Sequence, residues 1–142
     1  MKHKIKWVLI LAFVLAVGFV ILKITVPFSY AQADLNPPAL AFVTELQNDG
    51  AIDPKECATR YLFFRTDYHT ETPERIKIRM KTVSENEVRV TLYDPSCRDD
   101  SIHSSIDRIY LQRKDGKKWI PVRHECAHTG RGKFGWTTEP TS

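Results

Sequence analysis

Sixteen uncharged residues run without interruption from Trp7 to Leu22, directly behind Lys2, Lys4 and Lys6. No side of this run is polar, so a helix built from it has no stripe to turn toward water. A bilayer is the solvent such a segment matches. Lysines ahead of an apolar run stay cytoplasmic, which carries the rest of the chain across the membrane. Everything beyond Ala33 is therefore expected to fold in an envelope compartment.

Two fates for the leader follow from its flanks. Ala31-Gln32-Ala33 places small residues at the two positions a signal peptidase reads, with Asp34 as the new N-terminus. The other fate is an uncleaved single-pass anchor. Ile24 to Phe28 extend the run once Lys23 snorkels toward the headgroups. At about 1.5 Å per residue, the roughly 20 residues from Trp7 to Val26 then cover a bilayer core of about 30 Å. This length favours the anchor. A lipid anchor is not expected, because the first cysteine is Cys57. The chain divides into a transmembrane or signal segment (1–23), a linker (24–38) and an exported domain (39–142). Its expected address is the inner membrane with the domain in the periplasm, or the periplasm itself after cleavage following Ala33.

The net charge of +4 invites a nucleic-acid reading, but Lys2, Lys4, Lys6 and Lys23 account for all of it. Past residue 33 the basic and acidic residues balance at 17 each. A chain with no global positive field has lost the main support for nucleic-acid binding. Charge is still uneven: Arg108, Arg113, Lys114, Lys117, Lys118, Arg123, Arg131 and Lys133 stand against only Asp115 and Glu125 in that stretch.

Within the exported part, Leu40, Val43 and Leu46 recur at helical spacing over Ala39–Gln47, after Asn36-Pro37-Pro38 and before Asn48-Asp49-Gly50. Asp53-Pro54-Lys55-Glu56 can open a second helix toward Tyr61, although Tyr61-Leu62-Phe63-Phe64 is equally strand-like. From Arg75 the period becomes two. Ile76, Ile78 and Met80 alternate with Lys77, Arg79 and Lys81, and Val88, Val90 and Leu92 resume the alternation after Ser84-Glu85-Asn86. A second hairpin is expected from Ile106–Arg113 and Lys118–His124, joined at Asp115-Gly116. The fold class is α+β: a leader helix, then a small domain with a four-stranded antiparallel sheet and one or two short helices.

Cys57, Cys97 and Cys126 lie in what should be an oxidising space, where one disulfide is the default. Cys97 with Cys126 is preferred, because each ends or follows a strand-like run, and closing such a loop contributes about 3 to 4 kcal/mol in the chain-entropy model. Cys57 with Cys126 is the alternative pairing.

Candidate sites are weighed against ordinary structural roles. On a strand, His124, Cys126 and His128 face one side and can share zinc with His69 or His103. A disulfide at Cys126 would remove that thiolate. Cys97, Asp99, Asp100 and His103 supply the residue types of a cysteine nucleophile, yet the same stretch reads as a turn and a helix cap. Gly130-Arg131-Gly132-Lys133 lacks phosphate-loop spacing and reads as a turn that folds Phe134 and Trp136 back onto the domain. Lys77, Arg79, Lys81 and Arg89 form a basic strand face, either a solvated surface or a contact for anionic lipid or glycan.

Asp99-Asp100-Ser101-Ile102, the Arg-Ile-Tyr-Leu run at 108–111, Trp119, Cys126 and Gly130-Arg131-Gly132 followed by Trp136 resemble a group of small, uncharacterised bacterial envelope proteins. Those share an exported N-terminus and a tail of cysteine, Gly-Arg-Gly and tryptophan. The similarity spans about residues 88 to 140 and implies an envelope location without implying an activity. In that group the tail often ends in a further cysteine. Here it ends Glu139-Pro140-Thr141-Ser142, which leaves Cys97 or Cys57 as the partner for Cys126.

The functional expectation is an accessory or binding domain of the cell envelope, held to the membrane by its N-terminal helix, with an envelope protein as partner and no catalysis, cofactor or metal. Its binding residues are expected at Trp119, Arg131, Lys133, Phe134 and Trp136, where aromatics beside arginine suit an interface. The alternative expectation is a zinc-binding or cysteine-dependent enzyme using His124, Cys126 and His128.

Overall fold

Val88, Val90, Leu92 and Asp94 point to one side of a single strand, and the domain is assembled on that side. The structure is a computed structural model that describes residues 2–25, 27, 29–50, 52–66, 74–96, 102–130 and 135–138. The elements in chain order are α1 (Lys2–Thr25), β1 (Ala31–Ala33), α2 (Pro37–Glu45), α3 (Pro54–Arg65), β2 (Lys77–Ser84), β3 (Glu87–Asp94), β4 (Ile102–Lys114), β5 (Lys118–Gly130) and β6 (Trp136–Thr137).

α1 is apolar on all sides, and every residue from Ile5 to Leu22 is exposed. By length and composition it is a helix able to cross a membrane or to serve as a signal sequence. The other two helices begin alike, each with an acceptor side chain ahead of proline. Asn36 Oδ1 accepts from Ala39 N at 2.9 Å, and Asp53 Oδ1 accepts from Lys55 N at 2.8 Å. Proline suits the first helical turn, where its missing N–H would have had no helical partner. Pro37 and Pro38 therefore start α2 inside the stretch expected to be linker. The ambiguous Tyr61–Phe64 run is helical, because Asp53-Pro54 nucleates α3 and Cys57, Ala58, Tyr61 and Leu62 recur on its buried side.

The sheet is antiparallel throughout, in the order β1-β5-β4-β3-β2, with β6 also on β5. It therefore has six strands where the periodicity announces four. β1 and β6 are three and two residues long and show no alternation of their own. Both are added on the outer edge of β5 by long-range pairing: Ala31 opposite Cys126, and Trp136 opposite Thr129. β5 runs on to Gly130, well past the expected end at His124. Asp115 and Gly116 both take positive φ, 53° and 68°, in the tight β4–β5 turn.

α2 and α3 cover one face of the sheet. The core joins Ala39, Val43, Cys57, Ala58, Tyr61 and Leu62 from the helices to Val88, Val90, Leu92, Ile109, Leu111 and Trp119 from the strands. Fully burying each large aliphatic side chain contributes roughly 1.5 to 3 kcal/mol. Along β5 the register slips at Val122, since Leu111 pairs Pro121 while Tyr110 pairs Arg123. This bulge restores alternation in phase with the core, so His124 faces the helices beside Ile109.

Candidate functional site

The face of the sheet away from α2 and α3, here the outer face, is chemically unlike the first. Register places Lys77, Arg79 and Lys81 of β2, Arg89, Thr91 and Tyr93 of β3, Arg108 and Tyr110 of β4, and Arg123 and Glu125 of β5 on it together. Guanidinium groups lie over rings across this layer, with Arg108 Cζ 3.4 Å from the Tyr30 centroid and Arg123 Cζ 3.6 Å from that of Tyr110. Tyr93 and Trp136 meet with ring centroids 6.1 Å apart. Glu125 sits among them, accepting from Tyr110 Oη at 3.1 Å and lying 3.5 Å from Arg123 and 4.0 Å from Arg108. Burial pushes the Tyr30 phenol up, opposed by the positive charges of Arg108 and Arg89.

Charge is divided between the two sides of the domain. The helix side exposes Asp34, Glu45, Asp49, Asp53 and Glu56 against Lys55, Arg60 and Arg113, with Lys118 reaching Asn48 at 2.8 Å. Six basic residues of the outer face stand against Glu87 and Glu125. Among the described residues the excess of positive charge is thus on the outer face, and the helix side is close to balanced.

A second cluster lies on the helix-facing side at the β5 edge. His124 is buried, with Nδ1 2.7 Å from an Arg65 Nη1 and Nε2 2.8 Å from Asp107 Oδ1. Guanidinium has no acceptor, so Arg65 donates to Nδ1 and the ring's N–H at Nε2 is donated to Asp107. Arg65 also donates to the Asp34 carbonyl at 2.7 Å. Four segments are thereby tied at one point: the end of β1, the last turn of α3, β4 and β5.

Cys126 lies beside this cluster, opposite Asp107 on one strand and Ala31 on the other. Burial raises its thiol pKa, and Asp107 raises it further while Arg65 opposes. With both ring nitrogens engaged, His124 has no free lone pair to serve Cys126 as a base. A metal at His124 would have to displace Arg65 or Asp107. His124, Cys126 and His128 do share one face as the strand periodicity requires, yet no group of three or more potential ligands among the described residues can hold a metal ion. His103 is exposed on β4, and His69, Asp99 and Asp100 lie outside the described residues.

Of the expected binding residues, Trp119 and Trp136 do not share a patch. Trp119 is on the helix side, buried under Arg113, whose guanidinium lies 4.7 Å from the ring. Trp136 pairs with Thr129, ten positions along β5 and on the outer face, roughly 30 Å away. Arg131, Lys133 and Phe134 lie outside the described residues. β6 pairs antiparallel with the end of β5, with His128 opposite Thr137 and Thr129 opposite Trp136. Trp119 belongs to the core because the step from Lys118 to Trp119 enters the inward phase set by Leu111 and Pro121.

Among the described residues there is no disulfide; Cys57 and Cys126 are free thiols, and Cys97 lies outside them. The pairing of Cys57 with Cys126 is excluded by distance. Cys57 Sγ donates to the Trp119 carbonyl at 3.3 Å, seven positions from Cys126 on the same strand, which is roughly 20 Å. No thiol pair can bridge that gap.

Tyr30, Tyr93, Tyr110, Arg108, Arg123 and Glu125 were not singled out by sequence reasoning as one group. Their signal was the alternation continuing through 125, hidden because the strand was expected to stop at His124. Comparison with family models, characterised proteins and solved structures returned no match.

Proposed function

We propose that this chain is a membrane-tethered domain of the bacterial cell envelope that acts by binding through its outer sheet face, without chemistry of its own. The observation that carries this reading is the contrast between two faces of one sheet. One is covered by α2 and α3, and the other presents arginines over aromatics that neither of those helices covers, α1 touching it at β6 alone among the described strands. Arginine and aromatic residues are the types enriched where proteins bind partners.

Two features support retention of α1 as an anchor, with the domain on the periplasmic side of the inner membrane. Ala31-Gln32-Ala33, the peptidase-like motif, is β1 itself, and cleavage after Ala33 would strip the outer edge of β5. It would also remove Tyr30 from beneath Arg108. A chain built to lose its leader has no use for a strand made from the cleavage motif.

In-cell photocrosslinking tests the reading, with a photoreactive residue at Thr91 on the outer face or at Glu45 on the helix side. Adducts at Thr91 that are absent at Glu45 are expected. Adducts at Glu45 alone would sink it.

A further inference from the structure

We propose that the outer face rests on the anionic headgroups of the same membrane that holds α1, so that the domain lies sheet-side down on the bilayer. The inference rests on the tethered reading and adds to it the identity of the surface bound. Its first support is an arrangement that weakens the fold. Lys81 stands directly opposite Arg89, and Arg79, Thr91 and Arg108 form the next row. Like charges placed opposite each other across strands destabilise a sheet. None of Lys77, Arg79, Lys81 and Arg89 lies within 4.0 Å of a carboxylate among the described residues. A layer of phosphates outside the sheet supplies the missing counter-charge.

The shape of the patch favours a surface over a single ligand. The basic residues extend from β2 across to β5, three strand spacings or about 14 Å, on a sheet and not around a cavity. Their spread matches many phosphates in a plane.

The tether supplies a third argument. Five residues separate Thr25 at the end of α1 from Ala31 at the start of β1, a reach of about 20 Å. A membrane-inserted α1 therefore keeps the face at the bilayer at high effective concentration. Tyr30, Tyr93 and Trp136, the ring types that sit at headgroup level, share the outer face. The helix side has no comparable excess of positive charge, which sets which side faces down.

The test uses the full chain in nanodiscs of phosphatidylcholine alone or of phosphatidylcholine with phosphatidylglycerol. Lysine acetylation by a water-soluble reagent is followed by mass spectrometry, with Lys77 and Lys81 as reporters of the outer face and Lys55 of the helix side. Lys77 and Lys81 are expected to react at least about fivefold more slowly in the anionic discs, with Lys55 unchanged and the protection lost in high salt. A paired Arg79→Glu and Lys81→Glu variant should lose the protection of Lys77 with a urea midpoint no lower than that of the natural chain.

Equal rates in both discs, equal protection in neutral discs, or protection of Lys55 instead would each overturn the proposal. If Thr91 crosslinks to an envelope protein while Lys77 stays unprotected, the binding face stands and the lipid falls. Should carbonate extract the chain from cell membranes, the tether and the proposal fall together.

Discussion

Gln47 and Trp119 exchange two hydrogen bonds: Trp119 N donates to Gln47 Oε1 at 2.8 Å, and Gln47 Nε2 donates to the Trp119 carbonyl at 2.9 Å. A side-chain amide here takes the place of a neighbouring strand. The outer edge of β5 is paired by β1 at 124–126 and by β6 at 128–129, and Gln47 closes it at 119. Gln47 is 2% exposed, so the pair is out of reach of water. Substitution Gln47→Leu keeps the size, leaves the Trp119 N–H without its acceptor, and leaves the Trp119 carbonyl with only the weak Cys57 thiol donor. A loss of about 2 to 4 kcal/mol in urea unfolding is expected, and a loss under about 0.5 kcal/mol would show that the edge is satisfied in another way.

Arg65 is the donor that joins β1 to the His124–Asp107 pair. Arg65→Ala should cost about 1 to 3 kcal/mol and speed hydrogen exchange at residues 31–33 ahead of the rest of the sheet. Uniform acceleration across β3 and β4 would mean the residue supports the whole core and not the edge.

The Cys57 thiol is pushed up to about 12 from 9.0, chiefly by burial and further by Glu56. In the unfolded chain it ionises at its ordinary value, so the fold's preference for the neutral thiol is fully present below about pH 9 and is lost as pH rises toward 12. Within that window stability falls by about 1.4 kcal/mol per pH unit from this group. Urea midpoints measured between pH 8 and 10.5 should drop more steeply for the natural chain than for Cys57→Ala, and identical slopes would refute the assignment.

Lys81→Glu converts a like-charge pair opposite Arg89 into an attractive one. The expected gain is about 0.2 to 1 kcal/mol of stability, accompanied by weaker binding to anionic surfaces. A variant that is both less stable and unchanged in binding would contradict the view that this face keeps charge at the expense of the fold.

Removal of the leader gives the last prediction. A chain beginning at Asp34 lacks β1 and Tyr30, and should melt several degrees below one beginning at Pro27, which keeps them. N-terminal sequencing of the protein from cell membranes should find residues ahead of Ala31 present. A mature N-terminus at Asp34 would end the anchor reading.

Local chemistry settles much of the architecture. The leader is legible because sixteen uncharged residues behind three lysines have one compatible solvent. The β2–β3 hairpin is legible because side chains alternate with period two, and the Asp115-Gly116 turn because few residues accept positive φ. The helix starts carry a readable signal too, in Asn36-Pro37 and Asp53-Pro54, although reading proline only as a breaker misplaces the first.

What tertiary structure alone decided are the relationships between segments distant in the chain. β1 and β6 are too short to have a period, and exist as strands because β5 offers them an edge. Trp119 and Trp136 look alike in sequence, and a strand's length and the two sides of a sheet separate them. The gathering of basic residues on one face is invisible in a net charge of zero past residue 33, because a sum over residues keeps no record of which side each one faces. His124, Asp107 and Arg65 meet only when α3 is laid across the sheet. Periodicity fixes the side of an element on which a residue lies, whereas the partner it meets there depends on which elements pack together, a property of the whole fold.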